Sequence, residues 1–320
     1  MSYVSPVYID EFKIYDIYHN DMNELIIITP YLPNSYTITL LLGEDTKTFN
    51  LHRCPHNHTD IYTLNIEYMT NIKIMIGNCI IDTIVNKYPS FQGEIIFSTI
   101  CKDEDDFIIP WIQYHVRLGI SRFIIYDNSL KRTLATLLED YINKGIVLLI
   151  SWPYEYISSI SGISGQTTQQ NHSIYAFRNS KYIGLFDIDE YVNTLGVLDI
   201  HYFFEQLIRR EKIDVNSISS FRLLNKYFYN PLDLPVHNSE FLRIFNCDTI
   251  KTSGCYKHFV IPKNVITFSV HMVTSGKESY NVNDTYIYFN HYIYLNKTDR
   301  GRNQTSLMDD TILLNLGDSK

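Results

Sequence analysis

Between residues 94 and 187 the chain alternates short apolar runs with stretches of helical period, and no other part of the sequence restricts the fold as tightly. Residues 94–100 form a compact apolar run that ends at Cys101. In the next segment Ile108, Trp111, Ile112, His115 and Leu118 recur at helical spacing. Pro110 falls in the first turn, where its missing N–H is tolerated, and Gly119 sits where a C-terminal cap belongs. A second strand is expected over 122–127, a second helix over 133–144 closed by Gly145, and a third strand over 146–152. A Ser/Gly/Gln-rich loop, a helix over 166–181 and a strand over 182–187 complete the series. Strands separated by helices pair in parallel through right-handed crossovers, so this grammar predicts an α/β domain with a mostly parallel sheet flanked by helices. Ligands of such sheets collect beyond the carboxyl ends of the strands. Three polar clusters fall there, at 102–106, 127–129 and 187–190.

Residues 1–92 read differently. Runs at 25–28, 36–42, 48–51, 61–66 and 72–76 are apolar or alternating and are punctuated by Asn, Asp, Pro and Gly, as in a small antiparallel unit. Two parts are therefore expected: an all-β module over 1–92, of unassigned role, and an α/β domain over 93–320. The module's many tyrosines suit stacking on carbohydrate and equally an aromatic-rich core. Within it His52, Cys54, His56 and His58 alternate as zinc ligands on one strand face would, but Pro55 and Asn57 break the strand, and a surface loop is the expectation.

Bulk properties exclude several classes. A net charge of −8 argues against broad binding to nucleic acid or an anionic membrane, while leaving room for a local basic strip on a diphosphate. Cys54, Cys79, Cys101, Cys247 and Cys255 contain no C-x-x-C pair, which suggests neither a disulfide framework nor a clustered zinc site. The first residues lack the basic and apolar runs of a signal peptide, and no apolar stretch approaches ~18 residues. A cytoplasmic protein with no transmembrane segment is expected. Ala135 and Ala176 are the only alanines against 26 tyrosines, a bias of AT-rich coding found in some large viruses and parasites. For a viral source the setting would be the host cytoplasm.

The sharpest local feature is 182–191, Tyr-Ile-Gly-Leu-Phe-Asp-Ile-Asp-Glu-Tyr, an apolar strand running into Asp187 and Asp189. At a spacing of two along an extended chain both carboxylates point the same way. Hard oxygen ligands of this kind suit Mn²⁺ or Mg²⁺ bridging a nucleotide diphosphate, with the ion neutralising charge on the leaving group. An isolated pair is more often a solvated turn; its place after a buried strand, beside two other polar strand ends, favours the functional reading. Glu190 reads as catalytic or as a structural hydrogen-bonding residue, and His115 and Trp111 as core.

The run 102–119, Lys-Asp-Glu-Asp-Asp-Phe-Ile-Ile-Pro-Trp-Ile-Gln-Tyr-His-Val-Arg-Leu-Gly, followed by 123–129, Phe-Ile-Ile-Tyr-Asp-Asn-Ser, resembles the opening of glycosyltransferase family 92 and its family-2-like relatives. Further blocks follow in order: Gln169 to His172, the Asp-Ile-Asp-Glu-Tyr of 187–191, Lys257 to Pro262, Val270-His271, and Asn290-His291-Tyr292. The resemblance spans about residues 95–305. It departs at Asp103, where the family often has Asn, and at Ser129, which comes one position early. The family's cellular members usually sit behind a membrane anchor, which is not expected here.

The resemblance implies the glycosyltransferase A fold, a Rossmann-like sheet followed by an acceptor-binding part. It implies Mn²⁺ or Mg²⁺ as cofactor and a UDP-sugar donor carrying galactose or glucose. The acceptor would be a glycan, glycoprotein or small glycoside, and the transfer inverting. Carried over, Lys102, Glu104, Asp127 and Asn128 would line the nucleoside pocket, and Asp187 would contact donor ribose or metal. Asp189 would ligate the metal, with His271 or His291 as a further ligand. Lys297, Arg300 and Arg302 would close over the diphosphate by charge pairing. Gln166, Gln169 and Asn171 either touch the donor or open a helix. An inverting transfer needs a base, for which Asp233, Glu240 and Glu278 are candidates. Two rival readings stand beside this one. A phosphotransferase with an Asp nucleophile would want the motif on its first strand. A non-catalytic carbohydrate-binding protein would hold a glycan without consuming donor.

Overall fold

In the computed structural model the described residues are 4–54, 59–131, 133–157, 164–228, 246–247, 255–292 and 307–316. The apolar runs between 94 and 187 form four mutually parallel strands, Ile95–Cys101, Arg122–Asp127, Val147–Ser151 and Tyr182–Leu185. They belong to a seven-stranded sheet ordered Val147–Ser151, Arg122–Asp127, Ile95–Cys101, Tyr182–Leu185, Lys257–Val260, Ile218–Leu223, Glu278–Asn281. Lys257–Val260 runs antiparallel to both neighbours, so the sheet is parallel on one side and mixed on the other. The first three strands step outward in one direction, and the fourth returns to the far side of Ile95–Cys101. That reversal makes a switch point between Ile95–Cys101 and Tyr182–Leu185, where loops leaving adjacent strand ends diverge and open a crevice.

These strands are buried at every residue but Arg122, and mostly apolar, because both faces are covered. Ile95, Phe97, Phe123, Ile125 and Leu149 pack with helices Asp105–Arg117 and Ile200–Glu211 on one face. Ile96, Ile124, Tyr126, Leu148 and Ile183 pack on the other with helix Ser164–Ala176 and with Tyr18, Ile26 and Ile28 from the N-terminal strands. A Cβ at Gly184 would lie 2.6 Å from the Phe97 ring, so the absent side chain lets Phe97 stack on Phe186 at 5.2 Å. The segment expected as one helix over 133–144 is two short helices, Leu134–Leu137 and Glu139–Asn143. They meet at Leu138, whose backbone (φ −101°, ψ 10°) leaves the helical range. Helix Ser164–Ala176 lacks the apolar stripe of a surface helix because strands cover it on two sides. Gln166 through Ser173 are all buried although all are polar.

The N-terminal strands form two sheets. One is ordered Asn50–Arg53, Thr59–Asn65, Glu24–Pro30, Asp16–His19, Asn86–Lys87; the other Asp45–Thr48, Ile38–Leu42, Asn71–Ile76, Cys79–Ile84. Leu25 and Ile27 point into a cluster shared with Ile38, Leu40, Ile72, Ile74 and Ile76, while Ile26 and Ile28 point the other way toward helix Ser164–Ala176. Strict alternation thus lets one strand serve two cores. Among the described residues no helix is long and apolar enough to cross a membrane.

Two core histidines make the fold acid-sensitive. The His115 Nδ1–H donates to the Trp111 carbonyl at 2.9 Å, and Nε2 accepts the Val192 N–H at 3.3 Å. The His258 Nε2–H donates to the His271 carbonyl at 2.8 Å, and Nδ1 meets the Ser220 hydroxyl at 2.9 Å. Burial lowers both rings from 6.5 to about 3. A group held neutral in the fold but protonated when unfolded stabilises fully above the unfolded value, and its contribution is lost as pH falls toward the folded one. Denaturant titrations should therefore show stability falling from pH 7 to pH 5, by about 2 kcal/mol for each ring. A His115→Gln variant should show a shallower fall. Equal wild-type stability at both pH values would contradict this.

Candidate functional site

The polar groups gather at the carboxyl end of Tyr182–Leu185, beside the switch point. The strand stops at Leu185, and the chain turns, with the Glu190 N–H donating to the Asp187 carbonyl at 3.1 Å. The turn changes the expected geometry. Asp187 and Asp189 lie beyond the extended backbone that the spacing rule assumes, and the two carboxylates meet different partners.

Asp187 faces the sheet. Its Oδ2 accepts from Lys257 Nζ at 2.7 Å and its Oδ1 from Gln166 Nε2 at 3.1 Å. Lys257 begins the adjacent antiparallel strand and also reaches Glu190 Oε2 at 2.9 Å. That same oxygen accepts the Asp187 N–H at 2.9 Å. Burial pulls Lys257 down, but Asp187 and Glu190 outweigh it and hold the ammonium well above its ordinary value. Burial raises the Glu190 carboxyl, with Lys257 opposing and Asp187 adding to the rise. Gln166 in turn accepts from the Tyr156 hydroxyl at 2.9 Å. Tyr156 is raised by burial and then by Asp187, with smaller contributions from Glu104 and Asp189.

Asp189 meets His291. Glu190–Asn193 pairs antiparallel with Tyr288–Tyr292, setting Glu190 opposite His291. His291 Nε2 lies 3.3 Å from Asp189 Oδ2, and Nδ1 lies 3.7 Å from Glu190 Oε1. Burial lowers His291, but Asp189 and Glu190 outweigh it and raise the imidazole above its ordinary value. One ligand atom from each of Asp189, Glu190 and His291 lies within 4.8 Å of the others. This donor set of two carboxylates and one imidazole fits a divalent ion such as Mn²⁺. Among the described residues the buried His291 Nδ1 has no hydrogen-bond partner, Glu190 Oε1 lying 3.7 Å away.

Other expected residues are placed as follows. Asp187 lies outside that three-residue group, engaged by Lys257 and Gln166. His271 is not in the group either; its Nδ1 bonds the Tyr256 carbonyl at 3.1 Å, and burial, then Lys257, lower its ring. Gln169 is buried and donates to Ser98 Oγ at 3.0 Å in mid-strand, one helical turn beyond Gln166, so it points at the sheet face instead of the strand ends. Asn171 is spent on Thr167 and Phe268 backbone groups. Lys102 and Glu104 follow the Ile95–Cys101 strand, and Asp127 ends the next. Asp127 Oδ1 accepts from both the N–H and the hydroxyl of Ser129. The Asn128 amide donates to the Trp152 and Tyr154 carbonyls, tying two strand ends together and leaving neither N–H for a ligand. Glu278 pairs with Ile218, at the end of the strand remote from Leu223, which pairs with Lys257. Five residues of strand, about 16 Å, separate it from the site, which removes it as a base. Asp233, Glu240, Lys297, Arg300 and Arg302, with His56 and His58, lie outside the described residues.

The model of glycosyltransferase family 92 matches residues 97–314, more than half the chain. This chain belongs to glycosyltransferase family 92. A family 92 protein of Ricinus communis is 21% identical over 141 residues, which are 42% of this chain and 23% of that protein. One of Arabidopsis thaliana is 29% identical over 107 residues, 33% of this chain and 17% of that protein. The aligned stretch thus spans under a quarter of these relatives' length. Among solved structures, Staphylococcus aureus TarS 1–349 aligns at 11% identity and a TM-score of 0.35, covering 62% of this chain and 60% of that one. The departure from the family pattern at Asp103 has a backbone reason. Its φ of 55° is left-handed, where Asn and Asp are the residues tolerated best after glycine.

Lys257 and Tyr156 received no role in the sequence. A lysine inside the apolar run Lys-His-Phe-Val-Ile-Pro was the available signal, because a buried ammonium requires acidic partners. Tyr156 carried no such signal among so many tyrosines.

Proposed function

We propose that this family 92 chain is a metal-dependent glycosyltransferase that moves a hexose, galactose or glucose, from a UDP-sugar to a glycan, glycoprotein or small glycoside, with inversion. The observation that carries the reading is the Asp189, Glu190 and His291 group at the switch-point crevice. Asp189, Glu190 Oε1 and His291 would hold Mn²⁺ or Mg²⁺, which when bound supplies Lewis-acid neutralisation of the leaving diphosphate. Around it, Lys257 keeps Asp187 and the second Glu190 oxygen fixed, and Gln166 and Tyr156 fix Asp187 from the helix side. Asp187 is 39% exposed, enough to meet a ribose hydroxyl at the crevice. Lys102, Glu104 and Asp127 line the nucleoside side in this reading. Lys297, Arg300 and Arg302 close over the diphosphate, and a carboxylate such as Asp233 or Glu240 serves as base. The sheet, with its reversal after the third strand, is of the glycosyltransferase A type in this reading, and residues 1–92 are an all-β module beside it.

Release of UDP from UDP-galactose, UDP-glucose and UDP-N-acetylglucosamine, with and without Mn²⁺, tests the proposal. Slow metal-dependent hydrolysis of a UDP-hexose is expected. A folded chain that turns over none of them and binds no UDP would overturn it.

A further inference from the structure

A second cavity, of about 350 Å³, opens on the same edge of the central sheet and includes none of Asp187, Asp189, Glu190 and His291, although the carbonyl of its Tyr154 is held by Asn128. It lies where the N-terminal segment meets the outermost parallel strand. Val4 pairs with Ile150 as a short parallel extension of the sheet, its N–H donating to the Leu149 carbonyl at 2.9 Å and its carbonyl accepting from Ser151 at 2.9 Å. The chain beyond Val4 then arches over the carboxyl end of Val147–Ser151 and encloses the cavity against residues 153–155.

Its wall is a built aromatic stack. Tyr15 and Tyr154 lie face to face at 3.8 Å and 9°, with Tyr154 donating its hydroxyl to the Tyr15 carbonyl at 2.5 Å. Tyr8 leans on Tyr154 at 5.3 Å and is 46% exposed. Its hydroxyl donates to Asp10 at 2.6 Å, and Lys13 holds the same carboxylate at 2.7 Å, so the Tyr8 ring is oriented before any ligand arrives. Ser5, Ser151, Lys13 and Glu155 bring both hydrogen-bond donors and acceptors to the cavity.

We propose that this cavity is a saccharide subsite in which a pyranose ring stacks on Tyr8 and its hydroxyls bond Glu155 and the rim. An open cleft with one exposed aromatic face and paired donors and acceptors matches a sugar, which has an apolar ring face and a polar girdle. Three strand spacings, about 14 Å, separate Val147–Ser151 from Tyr182–Leu185. A ligand here is therefore too far from Asp187 to be the transferred sugar. It would be a saccharide unit held apart from the reacting centre, an assignment that rests on the glycosyltransferase reading.

Saturation-transfer NMR of the full chain with maltotriose, chitotriose and lactose tests the subsite without requiring turnover, so its failure is separable from failure of the transferase reading. At least one of these should bind. Tyr8→Ala and Glu155→Gln, both at exposed positions that leave the core intact, should each weaken that binding about tenfold while leaving UDP affinity unchanged. No saccharide binding by the folded wild type would overturn the proposal, as would binding that both variants retain. A loss of UDP affinity in Tyr8→Ala would also overturn it, by assigning the cavity to the nucleotide.

Discussion

Replacing Lys257 with methionine is expected to destabilise the fold by about 3–5 kcal/mol, because it strands the Glu190 carboxylate in a buried position with Asp187 close by. In a chain of this size that loss lowers Tm by roughly 10 °C. The double variant Lys257→Met/Glu190→Gln should recover a good part of it, since the remaining glutamine amide is neutral and matches Glu190 in shape. A Lys257→Met protein as stable as wild type would show that the lysine is not what compensates the buried acid. The double variant should still lack turnover, because the Glu190 Oε1 that faces His291 would no longer carry charge. Stability and activity therefore separate at this pair.

Removal of Asp189 should do the reverse. Asp189→Ala takes away a carboxylate that is 19% exposed and faces His291, and because that imidazole can become neutral the fold should tolerate it. Metal-dependent donor turnover should fall at least about 100-fold, on the order of 3 kcal/mol of transition-state stabilisation. Steady-state assays at saturating Mn²⁺ measure it. A variant with wild-type kcat and KM would remove Asp189 from the reaction.

The sequence carried the architecture because two periodicities were written clearly into it. The mostly apolar runs at 95–101 and 122–127 and the helical face of Ile108, Trp111, Ile112 and His115 left few alternatives to parallel strands with a crossover helix. Helix Ser164–Ala176 was harder to delimit, since covering by strands on both sides leaves no stripe to read. The strand Asp16–His19 was missed because a buried Asp16 breaks its apolar pattern. That aspartate is satisfied by His172 at 2.9 Å and Tyr88 at 2.6 Å, partners more than 70 residues away that local inspection does not supply. The site was legible in part. An apolar strand ending in acids located the crevice, but the rule of alternating side chains was extended two residues past the end of the strand. The turn at 187–190 therefore sends Asp187 toward Lys257 and joins Glu190 to Asp189 and His291. Choosing between His271 and His291 required the pairing of Glu190 with His291 across two strands far apart in the chain.

Mn²⁺ binding followed by electron paramagnetic resonance in the presence of UDP should be compared for wild type, His291→Ala and His271→Ala. One Mn²⁺ site is expected in wild type, weakened at least about tenfold by His291→Ala and unchanged by His271→Ala. Retention of the site in His291→Ala together with its loss in His271→Ala would contradict this.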